Sequence, residues 1–204
     1  MEFFLGKTRV YISFWFLCLA ALAALYDKSL LLLPLLAAVA LHEAVHLFFL
    51  LSFQIRIRSF SLLPYGARLD CDLSTLPAWK KAAVYLSAPA AGLCVGLFYR
   101  AIDPASIFGV FNLCLGAFNL LPLPPLDGGN ALTAFAPSGR GSRIARLPAA
   151  LCLGAVWGGG VWLGLFRHNP SLLILALYLT LAAYPPKVRG RREGSGRKDS
   201  PFHS

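Results

Sequence analysis

The run Ser29–Phe53 is apolar throughout except for one charged residue, Glu43, which stands inside His42-Glu43-Ala44-Val45-His46. A run longer than about 20 apolar residues has few options, and the simplest is a helix across a bilayer. On a helix, positions four apart share a face, so His42 and His46 can turn two imidazoles toward one ion. Glu43 lies about 100° further round, within reach of a water held at that ion. A charged side chain at membrane depth costs about 2.5–3.5 kcal/mol on insertion scales, so this trio marks a functional site.

Composition agrees with a membrane solvent. The 204 residues are 57% hydrophobic and only 14% charged, against about 25% charged in a soluble domain. The net charge of +10 does not point to nucleic acid, because the basic residues lie between apolar runs and form no single face. The five cysteines fall without paired spacing and suggest neither a disulfide framework nor a thiolate metal site.

Apolar runs predict about six transmembrane helices, over 9–26, 29–53, 80–100, 104–123, 147–166 and 169–186. Lys7 and Arg9 before the first run would also suit a signal peptide, but a second apolar run follows at once. With the N-terminus inside, only Lys28, Arg100 and Arg167 of the 19 Lys and Arg fall outside. That asymmetry predicts an integral protein of a bacterial cytoplasmic membrane with both termini cytoplasmic. The expected architecture is an all-α polytopic domain, 1–186, with a short membrane-associated β-hairpin after the second helix. A basic, disordered tail, 187–204, completes it and is placed to rest on anionic lipids.

The hairpin prediction comes from Gln54-Ile55-Arg56-Ile57-Arg58-Ser59-Phe60, which alternates with period two. Pro64-Tyr65-Gly66 supplies the turn, and Arg68–Asp72 the returning strand. A solvated interfacial hairpin is one reading. The other makes Ile55 and Ile57 part of an exposed strand edge that pairs with an extended substrate.

A catalytic zinc needs a third protein ligand and one open position. The other glutamates, Glu2 and Glu193, are near the termini; His168 belongs on the opposite side and His203 in the tail. Asp70 and Asp72 lie in the hairpin and Asp103 in an outside loop. Asp127 differs, because it follows the fourth run within Asn119-Leu120-Leu121-Pro122-Leu123-Pro124-Pro125-Leu126-Asp127-Gly128-Gly129. Three prolines break the helix before it, and two glycines permit close backbone approach after it. An exposed Asp in a helix-ending turn would look the same, but beside the histidine motif Asp127 is the favoured ligand.

Together, His42–His46, Ser87-Ala88-Pro89-Ala90-Ala91-Gly92 and Asn119–Gly129 resemble the site-2 protease family of intramembrane zinc metalloproteases. The resemblance implies one Zn2+ per chain held by His42, His46 and Asp127, with Glu43 as catalytic base. Asn119 and Pro125 match positions associated with seating the substrate. Ala88 stands where the family often has glycine. The nearest branch includes a sporulation protease acting on a pro-sigma factor, although its C-terminal nucleotide-sensing domain has no counterpart in this chain. The partners implied are a membrane-embedded or membrane-tethered protein substrate and an inhibitory membrane partner. Two rival readings are a proton-coupled transporter using Glu43 and Asp127, and a non-catalytic membrane scaffold of the same fold.

Overall fold

The structure is a computed structural model that describes residues 2–5, 8–63, 66–74, 76–135 and 141–184. The tail expected over 187–204 lies outside the described residues. In chain order the elements are β1 (Glu2–Leu5), β2 (Thr8–Ile12), α1 (Phe14–Tyr26), α2 (Leu32–Ser52), β3 (Ile57–Leu63) and β4 (Gly66–Cys71). They continue with α3 (Ala78–Ile102), α4 (Ile107–Asn119), α5 (Asp127–Ala134), α6 (Gly141–Arg167) and α7 (Ser171–Ala183).

Each of the six apolar runs contains one helix. Among the described residues, three segments are long and apolar enough to cross a membrane: α2, α3 and the Arg146–Arg167 part of α6. The shorter apolar helices α1, α4 and α7 have 13 residues each. At 1.5 Å per residue they rise about 20 Å, less than a hydrocarbon core of about 30 Å. Large apolar side chains such as Trp15, Leu25, Phe98, Leu151 and Leu165 are exposed on helix faces, as expected of surfaces meant for lipid.

Local chemistry sets the ends of α2. The Asp27 carboxylate accepts hydrogen bonds from the Leu31 and Leu32 N–H groups (3.0 and 2.7 Å), satisfying donors that a helix start leaves orphaned. At the other end Gln54 takes a left-handed φ of 57°, and the Ile55 N–H returns to Leu50 O (2.9 Å). That reversal sends the chain into β3.

The helices that carry the candidate site pack through small residues. A Cβ added at Gly96 of α3 would lie 2.9 Å from Gly109 O of α4, so the two backbones meet almost directly. Ala88 is fully buried, so its methyl is accommodated where a glycine was expected.

The sheet departs from the sequence reading. It has four strands in the order β1-β2-β3-β4. The β1/β2 and β3/β4 pairs are antiparallel, and β2 runs parallel to β3, with Arg9 opposite Ser59 and Ile12 opposite Leu62. Residues 9–12, expected to begin the first span, are therefore strand. Their alternation of Arg9 and Tyr11 with Val10 and Ile12 puts two polar groups on one face, which suits a sheet better than lipid. The returning strand is Gly66–Cys71 rather than Arg68–Asp72. Strand β3 is flanked on both sides, and Ile57 pairs with Cys71 at a register shift between Ile57 and Ser59. Ile55 precedes the strand, and β2 covers β3 from Ser59 to Leu62, so over those residues the anticipated edge is paired.

Between the fourth and fifth apolar runs lie α5 and the start of α6; Pro137-Ser138-Gly139 lies outside the described residues. Leu123 and Leu126 of the proline turn pack with Ala149 of α6 and Leu179 of α7. The Trp157 Nε1–H of α6 donates to Thr180 Oγ1 of α7 (3.0 Å).

Candidate metal centre

His42 and His46 lie one turn apart on α2, both buried (7% and 9% exposed). Their rings stand edge to face at 85°, with centroids 4.9 Å apart. His46 Nδ1 lies 2.9 Å from Val84 O on α3. A carbonyl only accepts, so that nitrogen carries the proton and Nε2 keeps its lone pair. Among the described residues His42 Nδ1 is buried without a hydrogen-bond partner, whereas His46 is oriented by its bond to Val84 O of α3.

Asp127 opens α5, and its Oδ2 lies 3.2 Å from both His42 Nε2 and His46 Nε2. The position depends on how the proline turn meets α5. A Cβ at Gly128 would lie 2.2 Å from Leu120 O, so only glycine lets α5 begin this close to the preceding turn. Asn130 on α5 donates through Nδ2 to Pro125 O (3.1 Å), tying the turn to the helix that carries Asp127.

These three residues form a group able to hold a metal ion, with ligand atoms within 4.8 Å of one another. The donor chemistry fits zinc. With the His46 proton on Nδ1, the Nε2 lone pair faces a carboxylate oxygen, and a cation bound between them would be held by both. Zinc bonds of about 2.0–2.1 Å in a tetrahedron separate ligand atoms by roughly 3.3 Å, close to the observed spacing.

The group borders a cavity of about 700 Å³ lined by Val39, His42, Glu43, His46, Val84, Tyr85, Asn119, Pro125, Asp127, Asn130 and Tyr178, among others. Glu43 therefore shares one space with the metal group, as its place in the motif anticipated. Asn119 and Pro125 also line that space, and the Asn119 amide donates to Leu115 O (3.0 Å). Ile55 and Ile57 do not line it; Cys71, at the end of β4, and Leu73 do. Asp70 and Asp72 are not in the metal group. Asp72 accepts from the hydroxyl and N–H of Ser74, bonds that hold its carboxyl below the usual range. Burial, reinforced by the Asp70 and Asp72 charges, pushes the Cys71 thiol up.

Sequence reasoning missed Val84, Tyr85, Cys71 and Asn130. Val84 acts through its carbonyl, which no side-chain pattern announces. Asn130 adjoins the glycine pair and was within reach of the same motif.

The sequence profile of Peptidase family M50 matches residues 99–153. Stage IV sporulation protein FB of Bacillus subtilis is 30% identical over 135 residues, covering 62% of this chain and 46% of that protein. Zinc metalloprotease MJ0392 of Methanocaldococcus jannaschii is 27% identical over 117 residues, covering 52% and 34%. The chain thus spans less than half the length of the curated relatives it matches. A solved structure, the Site-2 Protease from Methanocaldococcus jannaschii, shares the fold with a TM-score of 0.62 at 20% identity. That match covers 90% of this chain and 93% of the other. Part of the chain thus matches peptidase family M50, its sequence is similar to these zinc metalloproteases, and its fold is similar to that of a site-2 protease.

Proposed function

We propose that this chain is an intramembrane zinc metalloendopeptidase that cleaves membrane-embedded or membrane-tethered proteins. The observation that carries the reading is one cavity holding His42, His46 and Asp127 in contact, with Glu43 in its wall. Bound there, zinc would supply Lewis acidity and lower the pKa of water toward about 7. Glu43 accepts the proton of the attacking water and returns it to the leaving amine. His42, His46 and Asp127 hold the metal, and Val84 O keeps His46 in the ligating tautomer.

Depth determines the substrate class. His42 lies ten residues before the end of α2, roughly 15 Å along the helix axis, so substrate must come from within or against the bilayer. A helical substrate must unwind there, and unwound backbone in lipid is costly unless its polar groups are paired. The outer edge of β4 has no partner strand among the described residues, and Cys71 at its end lines the cavity. Strand addition therefore belongs to β4 rather than to Ile55–Ser59. A six-span topology with cytoplasmic termini goes with this reading, as does a basic tail on anionic lipid. In intact cells a single cysteine at Asn169 should react with impermeant thiol reagents, and one at Ser195 should not.

The deciding experiment is cleavage of co-expressed single-span proteins by the wild type and by Glu43→Gln. Glu43→Gln should keep its metal and lose at least about 10²–10⁴-fold in turnover, as removal of a general base does. Near-normal turnover in that variant would contradict the assignment and revive the transporter or scaffold readings.

A further inference from the structure

One polar group in the cavity wall is used by none of these steps. Tyr85 follows Val84 on α3, at the depth of His46, and it is half-buried and lines the metal cavity. Asp127 and Cys71 line the same cavity. Helical side chains tilt toward the helix N-terminus, so Tyr85 leans from the level of the histidines toward the Cys71 side of the cavity. Among the described residues nothing hydrogen-bonds its hydroxyl. The neighbouring wall amides differ, because Asn119 and Asn130 each donate to a backbone carbonyl.

Val39, Leu50, Leu115 and Phe118 also line the cavity, so a phenol in this wall adds an O–H donor to a largely apolar surface. An O–H donor in the wall of a site where acyl transfer develops negative charge on oxygen has a direct use.

Resting on the protease reading, we infer that Tyr85 is a catalytic residue. Its O–H donates a hydrogen bond to the scissile carbonyl oxygen as the C=O bond opens and that oxygen gains charge. The phenol keeps its proton throughout. The water's proton goes to Glu43 and then to the amine released when the C–N bond breaks.

The test is Tyr85→Phe in the full-length, zinc-loaded protein, with a peptide substrate and a phosphinic peptide of the same sequence as tetrahedral mimic. Zinc content should stay at the wild-type level and KM within about twofold, while kcat falls roughly 10–100-fold, below the 10²–10³-fold typical of an enclosed oxyanion donor. The phosphinic peptide should bind roughly tenfold more weakly. Binding of intact substrate, measured in a Glu43→Gln background, should not change. Unchanged kcat, a rise in KM alone, or equal weakening of mimic and substrate would overturn the role. Failure of the protease reading looks different: a wild type without zinc or cleavage, or a Glu43→Gln variant that still turns over, which removes the Tyr85 role with it.

Discussion

Helices α3 and α6 are both long and apolar enough to cross a membrane, yet they are built for different neighbours. A third of the most apolar window of α3 is buried inside the protein, 33% against 11% for α6. Gly96 of α3 meets α4 within 3 Å of an added Cβ, whereas Gly154 and Gly158 of α6 meet nothing within 4 Å. The lesson is that hydropathy identifies both as membrane helices but does not tell which one holds the chemistry. What separates them is tightness: an added Cβ at Gly96 would overlap α4, while at Gly160 of α6 it would lie 3.2 Å from Leu173 N of α7, and α6 presents most of its surface outward.

The largest expected effect lies where the core is tightest. Gly128→Ala drives a methyl into Leu120 O, and the turn that presents Asp127 must move. We expect metal content to collapse and a stability loss of about 3 kcal/mol, the upper end of ordinary overpacking, read by metal analysis and unfolding in detergent. Wild-type metal content in Gly128→Ala would break the comparison at its strongest point.

A smaller contrast sharpens it. Gly96→Ala should destabilise by about 1–3 kcal/mol. Gly154→Ala and Gly158→Ala should be neutral or stabilising by up to about 1 kcal/mol, since alanine is the better helix former. Thermal unfolding of the three variants measures this, and equal losses would mean the two helices are not differently packed.

The same division governed what could be read beforehand. The six apolar runs were visible because each helix carries a lipid-facing surface whatever its inner face does. The histidine motif and Asp127 were visible because their spacing is dictated by helix geometry and by a proline-broken turn beside a glycine pair. Residues 9–12 were misread because Val10 and Ile12 continued the apolar run, although Arg9 and Tyr11 broke it on alternate positions. The parallel pairing of β2 with β3 joins segments separated by all of α1 and α2, and no local pattern records such a pairing. That hidden partner is what makes β3 an inner strand from Ser59 to Leu62. The Val84 carbonyl was equally unreadable, because any residue there supplies the same oxygen.

On the outer side, Trp157→Phe removes the hydrogen bond to Thr180 and should cost about 0.5–1.5 kcal/mol. Metal content should not change, because α6 and α7 do not supply the ligands. A loss of metal in Trp157→Phe would show the outer pair to be part of the centre.

The smallest effect concerns the cavity rim. In a variant keeping Cys71 as its one cysteine, iodoacetamide should react slowly at neutral pH, because burial and the Asp70 and Asp72 charges raise the thiol. The rate should climb as pH passes the ordinary thiol range, since the thiolate is the nucleophile. Mass spectrometry of the alkylated protein reads it, and fast labelling at pH 7 would deny that Cys71 faces a confined cavity.

Bound zinc is the most direct mark of a centre built by His42, His46 and Asp127. Zinc should be measured in purified wild type, Glu43→Gln and Asp127→Ala at equal protein concentration. The prediction is one zinc per chain in the first two and a clear loss in the third. A metal-free wild type, or full retention by Asp127→Ala, would contradict the centre described between α2 and α5.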